Sequence, residues 1–248
     1  MRLKLISCEI LYREMCAAIA RSPNTVDVDF LPKGLHDIGQ VGMLERLQTA
    51  VDRVDASRYE AVALGYGLCN NGLVGLKAGV IPLVAPRGHD CITLFLGSKE
   101  RFLGYFNARP GVFETTGWIE RGEDSSELSQ LAIGHRMGLD ASFEELVRKY
   151  GEDNAKYLLD EMARVTRNYS QFTFIEMGVE PDMSFERRAR EEAVRRGWQF
   201  RKGPGGPLDD PTVVDGLWDE KEFLVVPPGK RIAALYDNRI IGAEEASS

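Results

Sequence analysis

Apolar residues recur along this chain with two different periods. Residues 3–7, 61–64 and 80–85 are short, nearly continuous apolar runs rich in Val, Ile, Leu and Ala, the pattern of strands buried on both faces. Residues 25–31, TVDVDFL, alternate with period two and read as a further strand, stopped by Pro32. Between these runs the period becomes helical. Residues 9–21 place Ile10, Met15, Ala18 and Ile19 inward, and residues 40–54 place Met43, Leu44, Leu47, Val51 and Val54 likewise. Strand and helix in alternation predict right-handed crossover units and a parallel sheet.

The helical period returns after Asp90, through ITLFLGSKERFLGYFNA. It breaks at residues 109–124, RPGVFETTGWIERGED, where turn residues surround Phe113, Trp118 and Ile119 without a clear period. That stretch reads as a loop or hairpin able to cover a site. Two helices follow over residues 142–150 and 152–169, the first with Ser142 and Glu145 as a capping box. A strand over 172–177, a charged helix over 186–196, the loop GPGGPLDDP and a last strand in FLVVPPG complete the chain. The expected fold is α/β: a doubly wound, mostly parallel, Rossmann-like sheet, with two lobes as one way of dividing it. Residues 1–108 form the first α/β part, 109–170 a lid loop and helical insertion, and 171–248 complete the sheet or form the second lobe.

With 248 residues, 44% of them hydrophobic, the chain is long enough for a substantial core. A net charge of −7 leaves no basic footprint, so nucleic acid is not an expected partner. No apolar run approaches the roughly 20 residues of a membrane span. The start, MRLKLISCEILY, reads as a strand running into a helix rather than as a leader, so a cytoplasmic location is expected. The four cysteines, none in a CxxC pair, are then expected to be reduced thiols.

Three of those thiols change the picture. Cys8, Cys69 and Cys91 each fall just past the end of an expected strand. In a sheet of order 2-1-3-4 those strands are neighbours, less than about 5 Å apart, and ligands bind beyond their carboxyl ends. Three thiolates with an open fourth position fit zinc or another thiophilic metal, and independent buried cysteines are the plain alternative. His36 or His89 is the candidate additional ligand or acid–base group, and Asp90 stands beside Cys91 as a residue able to orient a histidine. Arg87 is a candidate for holding an anionic substrate group, and Thr115, Thr116 and Trp118 for a pocket wall. Cys16, two helical turns beyond Cys8, reads as a small buried hydrophobe outside the site.

Two weaker signals accompany the cysteines. His36-Asp37-Ile38-Gly39 matches part of the DxHxxG loop that presents histidine to the cobalt of a corrinoid, but Gly34 stands where the leading aspartate belongs. The glycines of GYGLCNNG suit an anion at a helix start without forming a nucleotide motif. Taken together, SCEI, LPKGLHD, LGYGLCNNG, PRGHDCITLFLGSKE, PG-x-F-x-TTGWIE, FIEMG and DGLWDEKEFLVVPPG make the chain resemble domain-of-unknown-function family 1638. The resemblance implies a neighbourhood, proteins often encoded beside corrinoid-dependent methyltransferases, and not a reaction.

The expected function is therefore a metal-binding protein, zinc being the first choice, in one-carbon or methyl metabolism. Its cysteine site would bind a small thiol or methyl-carrying substrate, with methyl transfer as the candidate reaction. Two other readings stand beside it. One is a non-enzymatic accessory docking a corrinoid protein or methyltransferase; the other is a cofactor-free, racemase-like cysteine enzyme.

Overall fold

The computed structural model describes residues 1–108, 111–121, 143–165, 169–206 and 212–246. The expected capping box at Ser142 lies outside them. The main sheet has the order β2-β1-β3-β4-β8, where β1 is Arg2–Cys8, β2 Thr25–Leu31, β3 Ala61–Gly65, β4 Leu83–Pro86 and β8 Phe223–Val226. The first four strands are parallel, and β8 joins the edge antiparallel, Leu83 opposite Val226 and Pro86 opposite Phe223. The fold is α/β with a mostly parallel, Rossmann-like sheet.

The continuous apolar runs have a simple cause: both faces of the sheet are covered. Alternation sends Ile6, Val62 and Leu64 into one core and Leu3, Leu5, Ala61 and Ala63 into the other. The first core is closed by Met43, Leu47 and Val51 of α2 (Gly39–Asp52) and by Phe95 and Leu96 of α3 (Cys91–Leu96). The second is closed by α1 (Tyr12–Arg21), through the half-buried Met15, Ala18 and Ile19, together with Val213 and Val214. A short 3-10 turn, Glu9–Leu11, separates β1 from α1, so the expected helix over 9–21 is really two pieces. Another, Lys33–Ile38, precedes α2.

Two expectations change. The strand expected over 80–85 begins only at Leu83, and no helix lies between β3 and β4; turns fill that crossover. The stretch expected as a loop over 109–120 contains β5 (Gly111–Glu114) and a one-turn helix, α5 (Thr116–Glu120). β5 pairs in parallel with β6 (Gln171–Glu176), which pairs in parallel with β7 (Gln199–Pro204), giving a second, three-stranded sheet. Only four residues long, β5 is too short to display a period, and its neighbours lie about 60 residues away in the chain. α4 (Lys99–Ala108) leads into it from α3 across Gly97, which adopts a left-handed φ of 77°.

Ile175 and Met177 from the β6 segment reach the first core, while Phe172 and Phe174 pack on Ala189 and Ala193 of α8 (Ser184–Arg195). α6 (Phe143–Tyr150) and α7 (Glu152–Val165) pack against each other before β6. A hairpin of β9 (Lys230–Ala234) and β10 (Ile241–Glu245) closes the described chain. No helix among the described residues is long and apolar enough to cross a membrane.

Candidate functional site

Beyond the carboxyl ends of β1, β3 and β4, the chain is drawn together by backbone rather than by side chains. Leu68 N–H donates to Gly88 O at 2.8 Å and Cys69 N–H to His89 O at 2.9 Å, so the β3–β4 pairing continues past both strands. Glycine permits the close approach at two places. A Cβ on Gly65 would sit 2.1 Å from Ser7 Oγ, and one on Gly67 would sit 2.9 Å from the backbone of Asp90. Cys69, Asn70 and Asn71 then turn through three consecutive left-handed conformations, φ 42°, 54° and 62°. Asparagine tolerates that region through its short polar side chain, whereas for Cys69 it is strained. Such strain persists where the surroundings dictate it, commonly at functional loops.

This backbone brings Cys8, Cys69 and Cys91 to the lining of one narrow cleft, together with Lys33, His36 and Tyr66. Its walls are mostly apolar, and it has room for a water molecule or a single ion. Burial pushes the Cys8 thiol up to about 11 and the Cys69 thiol up to about 12, and it raises Cys91 well above the ordinary thiol value. The sulfurs also act on one another: Cys8 raises Cys69, and Cys69 and Cys8 both raise Cys91, because one thiolate discourages the next. Backbone N–H groups oppose this, Ile10 at Cys8 and Gly67 and Cys91 at Cys69. These shifts favour the neutral thiol at all three positions. Cys16 does not line it.

Among the described residues the buried Tyr66 hydroxyl has no hydrogen-bond partner, and the buried Trp118 indole N–H finds no oxygen or nitrogen acceptor, only the Cys91 sulfur beside it. Burial, then the nearby Cys8 and Cys69, hold the Tyr66 phenol well above its usual range. The Trp118 indole lies at Cys91, where it favours that thiolate. Leaving a buried donor unpaired costs about 1–3 kcal/mol, so the Tyr66 hydroxyl beside three thiols is conspicuous.

Trp118 arrives from the second sheet. Thr115 caps α5 by accepting the Trp118 N–H at 3.3 Å, and Thr116 is fully buried with its hydroxyl unpaired. The indole meets the His36 ring edge-on at 5.8 Å, and Lys33 Nζ lies 4.5 Å above it while donating to Trp118 O at 3.3 Å. α5 can come this close because residue 117 is glycine: a Cβ there would be 1.8 Å from Ile10 O. Gly117→Ala is accordingly expected to shift α5 off the 3-10 turn and to lower stability by about 1–3 kcal/mol, measured by urea unfolding. Unchanged stability would mean that α5 is free to move.

The remaining candidates sit elsewhere. His89 has an exposed side chain and does not line the cleft; its backbone carbonyl is what holds Cys69. Asp90 caps α3, its Oδ1 accepting from Thr93 N at 2.8 Å and from Thr93 Oγ1 at 2.9 Å, and so fixes where the helix and Cys91 begin. The Arg87 guanidinium donates to backbone carbonyls of Glu220, Phe223, Arg239 and Ile241, and this ties the C-terminal strands to β4. His36 does line the cleft, with Nε2 3.2 Å from Asp37. Lys33 and Tyr66 were not singled out from the sequence. The signal available was position alone: Lys33 lies two residues past β2 and Tyr66 directly past β3. No group of three or more His, Cys, Asp or Glu side chains among the described residues is arranged to hold a metal ion as it stands.

A family model described as "Protein of unknown function (DUF1638)" matches residues 30–208, a span that includes Lys33, His36, Tyr66, Cys69, Cys91 and Trp118 but not Cys8. No curated protein and no solved structure matches the chain.

Proposed function

Because the chain belongs to the DUF1638 family, whose description assigns no activity, its function has to be read from the cleft, and we propose that the cleft is a cysteine centre for one thiophilic metal ion, zinc first. Cys8, Cys69 and Cys91 are the proposed ligands and His36 the candidate fourth, with the open position taking a small thiol or a methyl-carrying substrate. The observation that carries the reading is the coincidence, along one narrow cleft, of three thiols from three neighbouring strand ends with the Tyr66 hydroxyl, which has no partner among the described residues. Neutral thiols give Tyr66 and Trp118 weak acceptors. Thiolates on a cation give them strong ones.

The raised thiols fit the same reading. Burial keeps the protons on the sulfurs; a divalent cation would displace those protons on binding. Ligation then requires the three side chains to close onto the ion from their present arrangement. The ion's chemistry, when bound, would be to keep an added thiol deprotonated. Around it, the backbone amides of Ile10, Gly67 and Cys91 hold the sulfurs, and Trp118 excludes water. A cofactor-free cysteine enzyme needs a thiolate at neutral pH, and burial works against one at all three positions.

The test is anaerobic titration of the reduced protein with Cd²⁺, read by the thiolate-to-metal charge-transfer band. A stoichiometric endpoint involving three sulfurs supports the proposal, and absence of the band sinks it. Trp118→Ala should leave the ion in place and weaken binding of an added small thiol, because the indole contributes apolar contact and one donor rather than a ligand. Equal thiol binding in variant and parent would remove Trp118 from the pocket wall. One observation favours a second reading: the cleft is narrow, so a large substrate does not fit it in its present arrangement. A stable complex with a corrinoid protein, without turnover, would mark the protein as an accessory instead of an enzyme.

A further inference from the structure

We infer that α5 is a lid on the cysteine cleft, latched by Arg13 and Glu120, and that ionisation of the buried Glu14 carboxyl releases it. The inference concerns access to the cleft and holds whatever ligand the cleft takes. α5 has five residues and carries Trp118, whose indole lies at Cys91 and meets His36, so its position decides whether the cleft is covered. Three contacts hold it down. Gly117 lies against Ile10 O, Arg13 donates to both carboxylate oxygens of Glu120 at 2.9 and 3.0 Å, and the Arg121 guanidinium sits over the Tyr12 ring at 5.1 Å. The same junction is poorly satisfied. Among the described residues, Thr116 Oγ1 at the start of α5 and Arg121 Nε just past its end have no hydrogen-bond partner, and no side chain hydrogen-bonds either carboxylate oxygen of Glu14.

Glu14 directly follows the latch arginine and is buried. The charged groups acting on it come from three elements: Arg13 on its own helix, Glu120 on α5, and Glu180 in the segment after β6. Two of the three are acids, and the one cation is already committed to Glu120. A proton on Glu14 leaves this arrangement undisturbed. An ionised Glu14 is a buried charge that Glu120 and Glu180 repel, and it competes with Glu120 for Arg13. Movement of α5 away from α1 relieves both effects, because it separates the acids and lets water reach the carboxylate. Burial raises the carboxyl from 4.5 to about 7 in the closed form. Rising pH therefore favours opening from about pH 4.5 to about pH 7, and the gain is complete above that.

Amide hydrogen exchange of the reduced full chain reads the opening. Ile119 and Arg121 N–H donate to Thr115 O and Gly117 O, and they lose protection only when that turn opens. Parent and Glu14→Gln are compared at pH 5 and pH 8, where the intrinsic chemistry of exchange is common to both and cancels. At pH 8 the α5 amides of the parent are expected to exchange about tenfold or more faster, since each pKa unit recovered on opening is worth tenfold. At pH 5 the two should agree within about threefold. Maleimide labelling of Cys91 at pH 8 should favour the parent by a similar factor. Glu120→Ala removes the latch and is expected to speed α5 exchange about two- to fivefold at both pH values. Amides of β1 report global unfolding and show that each variant is folded. Equal α5 exchange in parent and Glu14→Gln at pH 8 overturns the inference. So does a Glu14 effect confined to β1, which would mean that only whole-chain unfolding relieves the charge. Cys91 labelling indifferent to Glu14, or α5 exchange indifferent to Glu120→Ala, overturns the lid or the latch respectively. None of these measurements uses a metal ion, so the cysteine-centre reading is tested separately.

Discussion

Cys69→Ser and Cys91→Ser are each expected to abolish binding of the soft metal ion, whereas Cys16→Ala is expected to retain it. A serine hydroxyl matches the thiol in shape but offers a hard, weakly acidic ligand that zinc and cadmium do not prefer. Changing a residue that only supports a ligand typically costs 10–100-fold in affinity, so replacing a ligand should exceed about 100-fold. Elemental analysis of protein purified without oxygen or chelator supplies the measurement, with about one ion per chain expected in the parent. An ion held by the proposed centre would bind only the folded state, so its loss should also lower the melting temperature, by an amount that grows with free metal concentration. Metal content unchanged in both serine variants would end the cysteine-centre reading. Loss in Cys16→Ala alone would relocate the site to α1, where Cys16 is only partly buried.

What the chain reveals before folding, and what it conceals, divides along physical lines. β1 and β3 are legible because strands covered on both faces read as nearly continuous apolar runs, broken in β1 by Lys4, and their ends are legible because the runs give way to Cys8 and Gly65. The three cysteines at neighbouring strand ends are visible for the same reason: parallel topology places every carboxyl end on one edge. β5 and α5 are not legible. At four and five residues they lack the length for a period, and their stability comes from β6, far along the chain. The crossover between β3 and β4 reads as ordinary loop, yet its backbone hydrogen bonds to Gly88 and His89 are what position Cys69.

Side-chain roles are harder still. Arg87 looks like an anion-binding cation beside the site; only the fold shows its donors aimed at four carbonyls of the C-terminal strands. Asp90 looks like a partner for histidine and turns out to be the cap of α3. Conversely, Tyr66 and Lys33 carry no motif. Tyr66 stands out because its buried hydroxyl has no partner among the described residues, and Lys33 because the fold lays it on the cleft over the Trp118 ring; a sequence displays neither.

Glu14 is expected to make the protein lose roughly 3 kcal/mol of stability between about pH 4.5 and pH 7, and Glu14→Gln to abolish that fall. The residue lies on α1 with 7% of its surface exposed, and no side chain among the described residues hydrogen-bonds either carboxylate oxygen. Burial pushes its carboxyl from the ordinary value of 4.5 up to about 7; Glu180 and Glu120 add to the rise, while its own backbone N–H and Arg13 oppose it. Arg13 is already engaged, bonded to Glu120 at 2.9 and 3.0 Å, so it offers Glu14 field but no contact. Below the lower value both folded and unfolded chains hold the proton, and stability is unaffected. Between the two values the unfolded chain gives it up while the folded chain keeps it, so rising pH favours unfolding at up to about 1.4 kcal/mol per unit. Above about 7 both are ionised and the loss is complete. Urea unfolding of parent and Glu14→Gln across this range isolates the effect, since every other titrating group is common to both and cancels in the difference. The variant should gain on the parent steadily from acid to neutral pH and then run parallel to it. Parallel curves throughout would mean that the carboxyl finds a partner in solution and titrates normally.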